Sequence, residues 1–488
     1  MSNHAAGPEP RHGWRLEHSY AGLPPHFFSD VRPTPVASPS LVVLNRPLAR
    51  GLGLDPDWLA ENPAALAGNA VPPGARPVAQ AYAGHQYAHF TNLGDGRAIL
   101  LGEQITPAGE RFDIQLKGAG RTPYSRRGDG RAALGPMLRE FLVSEAMWAL
   151  GIPTTRSLAV VATGEPVFRE ETLPGAVLVR VAASHIRVGT FEWAAACGRP
   201  ESVRGLADYT IRRHYPELAD TPDRYPAFFR AVLDRQARLI ARWQSVGFVH
   251  GVMNTDNMAV SGETIDYGPC AFLDAYLPET SFSSIDRHGR YSYANQPAIA
   301  QWNLARFAEA LVPLFDPDQQ KAVALANEIL SEFPAAFETA RLARFRAKLG
   351  LATAEPGDGE LVSGLLDWMR AARADFINTF HALAAPAAAA PDDPAFREWR
   401  SRWIARLDRE PGGETAARSR MAAHNPVVIP RNHLVESALA AASEDGDPAP
   451  FLRLLEAVSD PFNPRHADGP FAAPPPPEAP PHVTFCGT

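Results

Sequence analysis

The sequence predicts an α+β protein of two lobes, in which a strand-rich lobe precedes a helix-rich lobe. Short apolar segments bounded by turn residues dominate up to about residue 183, and long segments with apolar residues at three-and-four spacing follow. The chain has 488 residues, of which 45% are hydrophobic and 21% are charged, a composition typical of globular proteins. This length exceeds what one hydrophobic core needs, so we expect two layers with a cleft between them.

Residues 1–76 are rich in proline and loop formers, so we expect an extension packed on the core, with a small helix near 57–67. The strand-rich lobe is assigned to residues 77–183. In it, strands at 97–105 and 111–117 form a hairpin, because a Pro/Gly turn joins them. A helix is predicted at 134–150, where Gly151 and Pro153 end the pattern. Further strands are predicted at 158–162, 167–169 and 176–182.

Residues 184–390 are assigned to a helical lobe that carries the catalytic and metal loops. Helices are predicted at 226–246, 296–314, 319–333 and 361–383. Residues 391–488 are expected to form C-terminal helices, one of them at 394–407, and a proline-rich extended tail.

Charge and cysteine content exclude several classes of protein. The net charge of −7 argues against a chain-wide basic surface for nucleic acid. We expect no membrane partner, because no window contains 18 consecutive apolar residues. Three cysteines cannot form a disulfide framework, and the amino terminus lacks the apolar stretch of a secretory signal, so we expect a cytoplasmic protein.

Lysine is rare in this chain, and its positions are therefore informative. Of 47 basic residues, only Lys117, Lys321 and Lys348 are lysine. Arginine serves wherever any positive charge suffices, so each remaining lysine hints at a site that requires a compact ammonium group.

The segment 250–257 (HGVMNTDN), followed by Asp266-Tyr-Gly, is the most informative part of the chain. Protein kinases place an asparagine seven residues after a histidine, and then an aspartate that also binds Mg²⁺. Asn257 and Asp266 fit these two ligands, although a turn rich in Asn and Asp would look similar. The position of the kinase base holds Val252, which cannot accept a proton. Asp256 is the nearest carboxylate that could replace it, unless it only closes the turn.

Upstream residues match the kinase lysine and helix glutamate. Lys117 ends a predicted strand, and Glu140 lies on the following helix, where Glu145 is an alternative partner; a surface ion pair is the other reading. Glycine-rich loops and arginines could surround nucleotide phosphates. These residues are Gly94, Gly96, Arg97, Asp129, Gly130, Arg180 and Arg187. The spacing of His85 and His89 would suit zinc on a helix, but no third ligand is suggested nearby.

Longer motifs make the resemblance specific. They are GHQ (84–86), NLGDGR (92–97), QLKGAGRTPYS (115–125), SHIRVGTF (184–191), HGVMNTDN (250–257) and DYGP (266–269). Over nearly the whole chain, the sequence resembles the selenoprotein O (SelO/YdiU) family of pseudokinases. The resemblance implies a protein-kinase-like two-lobed fold with an N-terminal extension and helical C-terminal additions.

The resemblance also implies an activity. Family members bind ATP in an inverted orientation and transfer AMP, in some cases UMP, to Ser, Thr or Tyr hydroxyls of proteins, releasing pyrophosphate. By motif, Asn257 and Asp266 would hold Mg²⁺ or Mn²⁺, and Asp256 would be the base. Lys117 with Glu140 and the glycines, arginines and Asp129 given above, together with Asp266, would hold the nucleotide. Inverting the triphosphate would place its outer phosphates among the arginines.

Family members often carry a redox residue three positions from the carboxyl terminus, and Cys486 matches that placement. The resemblance implies a reversible disulfide, for which Cys270 and Cys197 are the partners that this chain offers. An unpaired tail thiol is the alternative.

Two other functions stay open at this stage. A phosphotransferase would use Asp256 in place of the usual base, and a scaffold would bind nucleotide without catalysis. The sequence does not identify the protein substrates, the acceptor residue, the preference for ATP or UTP, or the oligomeric state.

Overall fold

The structure is a computed structural model that describes residues 12–384, 391–476 and 478–484. Helices and strands both make up large parts of it, which confirms the predicted α+β class. The strands are Leu16–Glu17 (β1), Phe28–Asp30 (β2), Ser40–Leu44 (β3), Val78–Gln80 (β4), Ala83–Gln86 (β5), His89–Asn92 (β6), Ala98–Ile105 (β7), Arg111–Lys117 (β8), Ala132–Ala133 (β9), Arg156–Phe168 (β10), Thr172–Ala182 (β11), Phe248–Val249 (β12) and Ala271–Phe272 (β13).

The helices begin and end as follows: Arg46–Gly51 (α1), Pro56–Glu61 (α2), Pro63–Leu66 (α3), Leu134–Ala149 (α4), Val188–Ala196 (α5), Pro200–His214 (α6), Arg224–Ser245 (α7), Gln296–Leu311 (α8), Gln319–Leu330 (α9), Phe333–Lys348 (α10), Asp358–Ala372 (α11), Phe376–Leu383 (α12), Pro394–Leu407 (α13), Gly413–His424 (α14), Asn432–Ser443 (α15) and Ala449–Val458 (α16).

One antiparallel sheet runs in the order β2-β4-β7-β8-β11-β10-β3, with β1 added to β7 and β9 added to β11. The predicted hairpin is present as β7 and β8, and Ala98 pairs with Lys117 at its open end. Residues 28–44, which were predicted as part of an extension, supply both ends of this sheet order.

Two predicted strands, 158–162 and 167–169, are one strand in the structure. β10 runs through Thr163-Gly164, where its register with β11 is irregular between Ala162 and Pro166. β10 pairs with β11 both before and after this irregularity. The Thr163 hydroxyl donates to the Glu165 carbonyl oxygen and accepts from the Glu165 N–H, and Gly164 has φ +73°. Gly164 therefore lies in a bulge, and the strand continues beyond it instead of ending in a turn.

Local breaks shorten several predicted helices. The helix expected at 57–67 is split into α2 and α3, because Pro63 cannot continue α2. The pattern at 361–383 is divided into α11 and α12 at Arg373, which has φ +49°. Helices α5, α6 and α10 were not predicted individually. The predicted bounds of α13 agree with the structure at both ends. The helix begins at Pro394 because the Asp393 side chain accepts hydrogen bonds from the N–H groups of Ala395 and Phe396.

The core positions the site from two sides. One apolar cluster packs Phe191 of α5 against Phe228 of α7 and Phe307 of α8. A second cluster packs Phe141 of α4 between the sheet and Phe451 of α16. Burial of this kind fixes α4 against strands β10 and β11, and α5 against α8. Among the described residues, no helix combines the length and apolar character needed to cross a bilayer.

Candidate active site

A cavity of about 940 Å³ lies between the sheet and the loops that follow β12. Eleven of the residues singled out in the sequence line it: Gly94, Gly96, Arg97, Lys117, Asp129, Gly130, Arg180, Arg187, Asp256, Asn257 and Asp266. Glu140 adjoins the cavity through its contact with Lys117. Cys486 lies outside the described residues. Segments that are far apart in the sequence thus meet in one cleft.

Lys117 and Glu140 are in direct contact. Lys117 ends β8, and its Nζ lies 2.6 Å from Glu140 Oε2 on α4. The same Nζ donates to Asp266 Oδ1 at 2.9 Å. Glu145, the alternative partner, instead accepts from Arg156 Nε at 2.8 Å. Lys117, Glu140 and Asp266 form a cluster in which every side chain is at least half-buried. Salt screens an ion pair less in such a place than at the surface.

Arg180 of β11 extends this cluster. Its Nη1 lies 2.6 Å from Asp266 Oδ1 and 3.2 Å from Glu140 Oε1. Its Nη2 donates to Gln115 Oε1 at 2.6 Å. Because the guanidinium is planar and almost completely buried, these contacts fix its orientation.

Arg187 approaches the same carboxylate from the loop before α5. Its Nη2 lies 3.6 Å from Asp266 Oδ2, and its guanidinium carbon lies 4.4 Å from the centre of the Tyr82 ring. Its Nε is buried and makes no hydrogen bond. Val188 donates its N–H to Met258 O, and Val260 donates to Ile186 O. This pairing holds Arg187 beside the loop that contains Asn257.

Asp266 is held ionised by its neighbours. Burial by itself raises the pKa of this carboxyl, but the charges of Arg180, Lys117 and Arg187 outweigh it and lower the pKa well below its usual value. Asp266 also has a φ of +62°, which is uncommon for an aspartate. Such strain at a cleft is typical of a functional residue.

Asp256 and Asn257 lie in a short 3-10 helix, Thr255–Asn257. The Asn257 amide nitrogen donates to Val252 O at 3.0 Å, which leaves the amide oxygen as the available ligand atom. Asp256 Oδ1 is buried and has no hydrogen-bond partner. Burial raises the pKa of Asp256 to about 7, with Arg187 acting in the opposite direction and Asp266 in the same one. A carboxyl in this state can accept a proton near neutral pH.

The β5–β6 hairpin closes over this helix. A Cβ atom added to Gly84 would lie 2.4 Å from Asp256 Oδ1, so only glycine allows this approach. His85 lies 2.5 Å from Glu192, which in turn accepts from the Thr255 hydroxyl.

His85 and His89 are on opposite strands of the hairpin, not on a helix. The described residues contain no cluster of three His, Cys, Asp or Glu side chains suited to a metal ion.

The glycines of the glycine-rich loops lie so close to neighbouring atoms that there is no room for a side chain. A Cβ on Gly94 would meet the Tyr124 ring at 2.4 Å, and one on Gly130 would meet Gly120 O at 2.1 Å. Asp129 is engaged by Arg169 through both carboxylate oxygens, at 2.9 and 3.1 Å. Asp129 therefore organises the rim of the cleft through Arg169.

Sequence reasoning missed Asp95, which lies deep in the cleft. Its carboxylate accepts from the Gln80 N–H and from Gln115 Nε2, both at 3.1 Å. Burial raises its pKa to about 6, against the effect of Arg187. The position of Asp95 between Gly94 and Gly96 was the feature of the sequence that could have indicated it. Asn254, also missed, accepts from the Tyr291 hydroxyl at 2.7 Å.

The two described cysteines are poor partners for thiol exchange. Burial raises the pKa of the Cys270 thiol to about 12, and burial also raises that of Cys197. Thr484, near the tail, donates its hydroxyl to Pro269 O at 2.9 Å and pairs with Ser283. A disulfide involving Cys486 stays a prediction.

Comparison with known proteins identifies the family of this chain. The family described as "Protein adenylyltransferase SelO" matches residues 12–459. A protein of Geobacillus kaustophilus, called protein nucleotidyltransferase YdiU, is 59% identical over 481 residues, covering 98% of this chain and 99% of the relative. Proteins of the same name from Halalkalibacterium halodurans and Syntrophotalea carbinolica are 58% and 55% identical over 485 residues, each covering 98% of this chain and 99% and 98% of the relatives. The chain therefore belongs to the SelO family of adenylyltransferases and is an enzyme that transfers a nucleotide.

Proposed function

We propose that this chain transfers AMP from ATP to Ser, Thr or Tyr hydroxyls of proteins and releases pyrophosphate. Membership of the SelO family supports the reaction class. The single observation that carries the proposal is the convergence of Lys117, Arg180 and Arg187 on Asp266 in one cleft. Cationic donors of this kind suit the oxygens of a triphosphate.

The proposed orientation of ATP follows from these cations. Pyrophosphate is the leaving group and gains negative charge as it departs, and buried arginines stabilise such charge better than exposed ones. With its β and γ phosphates at Arg180 and Arg187, the nucleotide would present its α-phosphorus to the open side of the cleft. A protein-kinase-like fold, with the N-terminal extension and C-terminal additions predicted from the sequence, is part of this proposal.

The reaction requires one proton acceptor. The acceptor hydroxyl oxygen bonds to the α-phosphorus, the bond from that phosphorus to the bridging oxygen of the β-phosphate breaks, and pyrophosphate leaves. Asp256 takes the hydroxyl proton, because it lines the cleft and its Oδ1 has no partner. Val252, at the kinase base position, lines the same cleft and cannot do so.

The side chains also suit a divalent cation. Mg²⁺ and Mn²⁺ bind oxygen ligands, and Mg²⁺ commonly uses one or two protein carboxylates together with substrate phosphates and water. Asp266 is held ionised, and Asn257 has its amide oxygen available, so we propose these two as the protein ligands. When bound, the ion would neutralise charge on the reacting phosphoryl group.

Labelled nucleotide distinguishes this reaction from its competitors. Purified protein is incubated with a model protein acceptor and ATP labelled at either the α or the γ phosphate. Label from the α position in the acceptor supports AMP transfer, and UTP labelled at the same position tests UMP transfer. Label from the γ position alone would identify a phosphotransferase. Retained ATP binding without either label would identify a scaffold, and both of these outcomes would overturn the proposal.

Two variants connect the result with the cleft. Asp266→Ala should abolish transfer, because it removes a ligand of the divalent ion. Lys321→Met is the matched control, since Lys321 is exposed on α9 and lies outside the cleft. The absence of nucleic-acid and membrane partners and the cytoplasmic location stay predictions.

A further inference from the structure

The short helix Thr255–Asn257, which carries the proposed base, is enclosed by two other elements, β5 and α5. A Cβ atom added to Gly84 of β5 would lie 2.4 Å from Asp256 Oδ1, and one added to Gly189 of α5 would lie 3.3 Å from Asp256 Cα. Each of the three elements contacts the other two. The transfer reaction uses Asp256, but the reaction alone does not explain why β5 and α5 come so close to this residue.

Asp256 depends on this enclosure for its position. Its Oδ1 has no hydrogen-bond partner, so the carboxylate is not anchored through that oxygen. The position of such a side chain is set by its backbone and by the atoms packed around it. Because a misplacement of about 1 Å can slow a reaction about 10²-fold, the residues that fix the backbone at Asp256 matter for the transfer step.

Thr255, the residue before Asp256, is bonded to both enclosing elements. Its Oγ1 accepts from the His85 N–H of β5 at 2.7 Å and donates to Glu192 Oε2 of α5 at 2.6 Å. Thr255 is 0% exposed, so water does not compete for its hydroxyl group. One hydroxyl group therefore connects β5 and α5 at the position next to the base.

Glu192 closes these contacts into a cycle. Its Oε1 lies 2.5 Å from His85 Nδ1, and because a carboxylate only accepts, the Nδ1 proton faces it. Phe90 and Trp302 each make a T-shaped contact with the His85 imidazole, at 5.4 Å between ring centres. We call this cycle of hydrogen bonds among His85, Thr255 and Glu192 the Thr255 clamp.

The Thr255 clamp is more than a packing contact. An apolar pair would pack the same elements without burying a carboxylate, which is costly unless it is hydrogen-bonded. The Glu192 side chain is nevertheless only 4% exposed, and both of its oxygens are used. Among the described residues, those that line the cleft include Asp256 but no member of the clamp. The clamp therefore contacts the base and not the substrate.

A second pair of hydrogen bonds lies beside the clamp. Asn254 Oδ1 accepts from the Tyr87 N–H at 3.1 Å and from the Tyr291 hydroxyl at 2.7 Å. The β5–β6 hairpin thus donates to two successive residues, Asn254 and Thr255, immediately before Asp256. Hydrogen bonds are directional, so together these contacts restrict how the backbone can turn at the base.

We propose that Glu192 is a positioning residue for nucleotide transfer, which through Thr255 and His85 holds Asp256 where it can take the proton of the acceptor hydroxyl. This inference rests on the function proposed above. The clamp takes no part in the proton transfer itself. The proton moves from the acceptor oxygen to Asp256, and the clamp fixes where Asp256 lies when it does so.

Thr255→Val removes the hydroxyl group with little change in shape. It should lower kcat for α-label transfer by about 10- to 100-fold, because it loosens the placement of the base, and leave the KM for ATP unchanged. Thr255→Ser keeps the hydroxyl and should restore most of the rate. Thr210→Val is the matched control, since Thr210 is equally buried on α6, donates to Leu206 O and lies outside the cleft. A wild-type kcat in Thr255→Val, or an equal loss in Thr210→Val, would overturn the inference.

A double-mutant cycle shows whether the clamp acts through Asp256. Glu192→Met should slow transfer in the wild-type background and add almost nothing to Asp256→Asn, in which no base is left to position. Glu192→Gln keeps one acceptor oxygen and should lose less than Glu192→Met. If Glu192→Met does not fold, Thr255→Val takes its place in the cycle. A further 10-fold loss in the Asp256→Asn background would show that Glu192 acts independently of the base and would refute the inference.

Hydrogen exchange tests the clamp without any transfer reaction. In Thr255→Val the His85 amide loses its acceptor, so a peptide spanning residues 83–92 should exchange faster by mass spectrometry, whereas in Thr210→Val its exchange should be unchanged. Equal exchange in Thr255→Val and the wild type would overturn the clamp. A wild type that transfers no α-label would instead overturn the proposed function and the positioning role with it, and faster exchange in Thr255→Val would then confirm the clamp as a structural contact only.

Discussion

Replacing Arg180 with methionine tests how the cleft holds the outer phosphates. Arg180 contacts Glu140, Asp266 and Gln115 and is 2% exposed. Removing one partner from a buried ion pair costs about 3–5 kcal/mol of stability. A hydrogen bond to a charged group contributes about 1.5–3 kcal/mol, so ATP affinity should fall roughly 10- to 150-fold. AMP affinity should be nearly unchanged, because AMP lacks the β and γ phosphates.

The matched control is Arg431→Met. Arg431 is equally buried and contacts Asp274 and Asp375, away from the cleft. Both variants should lose similar stability in urea unfolding, whereas only Arg180→Met should lose ATP affinity in calorimetry. Arg180→Lys keeps a charge and serves if the methionine variant does not fold. Equal weakening of ATP and AMP, or unchanged ATP affinity, would refute the inverted orientation.

The remaining predictions concern four positions. Asp256→Asn should lower the rate of α-label transfer by about 10²- to 10⁴-fold and leave ATP binding intact in calorimetry; a wild-type rate would exclude Asp256 as the base. Gly84→Ala should also slow transfer, because its Cβ would meet Asp256 at 2.4 Å, whereas Gly22→Ala, where nothing lies within 4 Å, should not. Lys348→Met should increase the free energy of unfolding by up to about 5 kcal/mol below pH 7, since lowering the pKa of the lysine by one costs about 1.36 kcal/mol. That gain should shrink as the pH rises from about 7 towards 10.5, because the folded protein has a lowered pKa for Lys348 and binds fewer protons than the unfolded chain; a gain independent of pH would contradict this. Cys270 should react with iodoacetamide at pH 8 far more slowly than after unfolding, as measured by mass spectrometry, since burial raises its pKa to about 12; equal rates would show that the thiol is accessible.

Local patterns predicted the elements that carry the site. The turn between β7 and β8 and the apolar spacing of α4 are encoded within a few residues of each element, so their positions were predicted to within one or two residues. Asn257 and Asp266 also came from one short segment. Both residues line the cleft, and their role as metal ligands stays a prediction that rests on residue types and spacing.

Contacts between residues that are distant in the sequence could not be predicted in the same way. Glu140 and Glu145 both lie on buried parts of α4, and the place where β8 ends against that helix decides which of them meets Lys117. Arg180 and Asp266 are 86 residues apart in the sequence, and no local pattern predicts their contact. The rarity of lysine drew attention to Lys348, but two of its basic neighbours, Arg242 and His424, come from the separate helices α7 and α14.

The order of strands in the sheet constrains how the protein folds during synthesis. β3 leaves the ribosome early, yet its partner β10 extends to residue 168, and β10 itself pairs with β11, which ends at Ala182. Until those later segments emerge, the apolar side of β3 has no sheet to join, and such unpaired strands are prone to aggregation. We therefore expect chaperones to bind the amino-terminal segment during synthesis, and slowing translation before residue 182 should increase its misfolding.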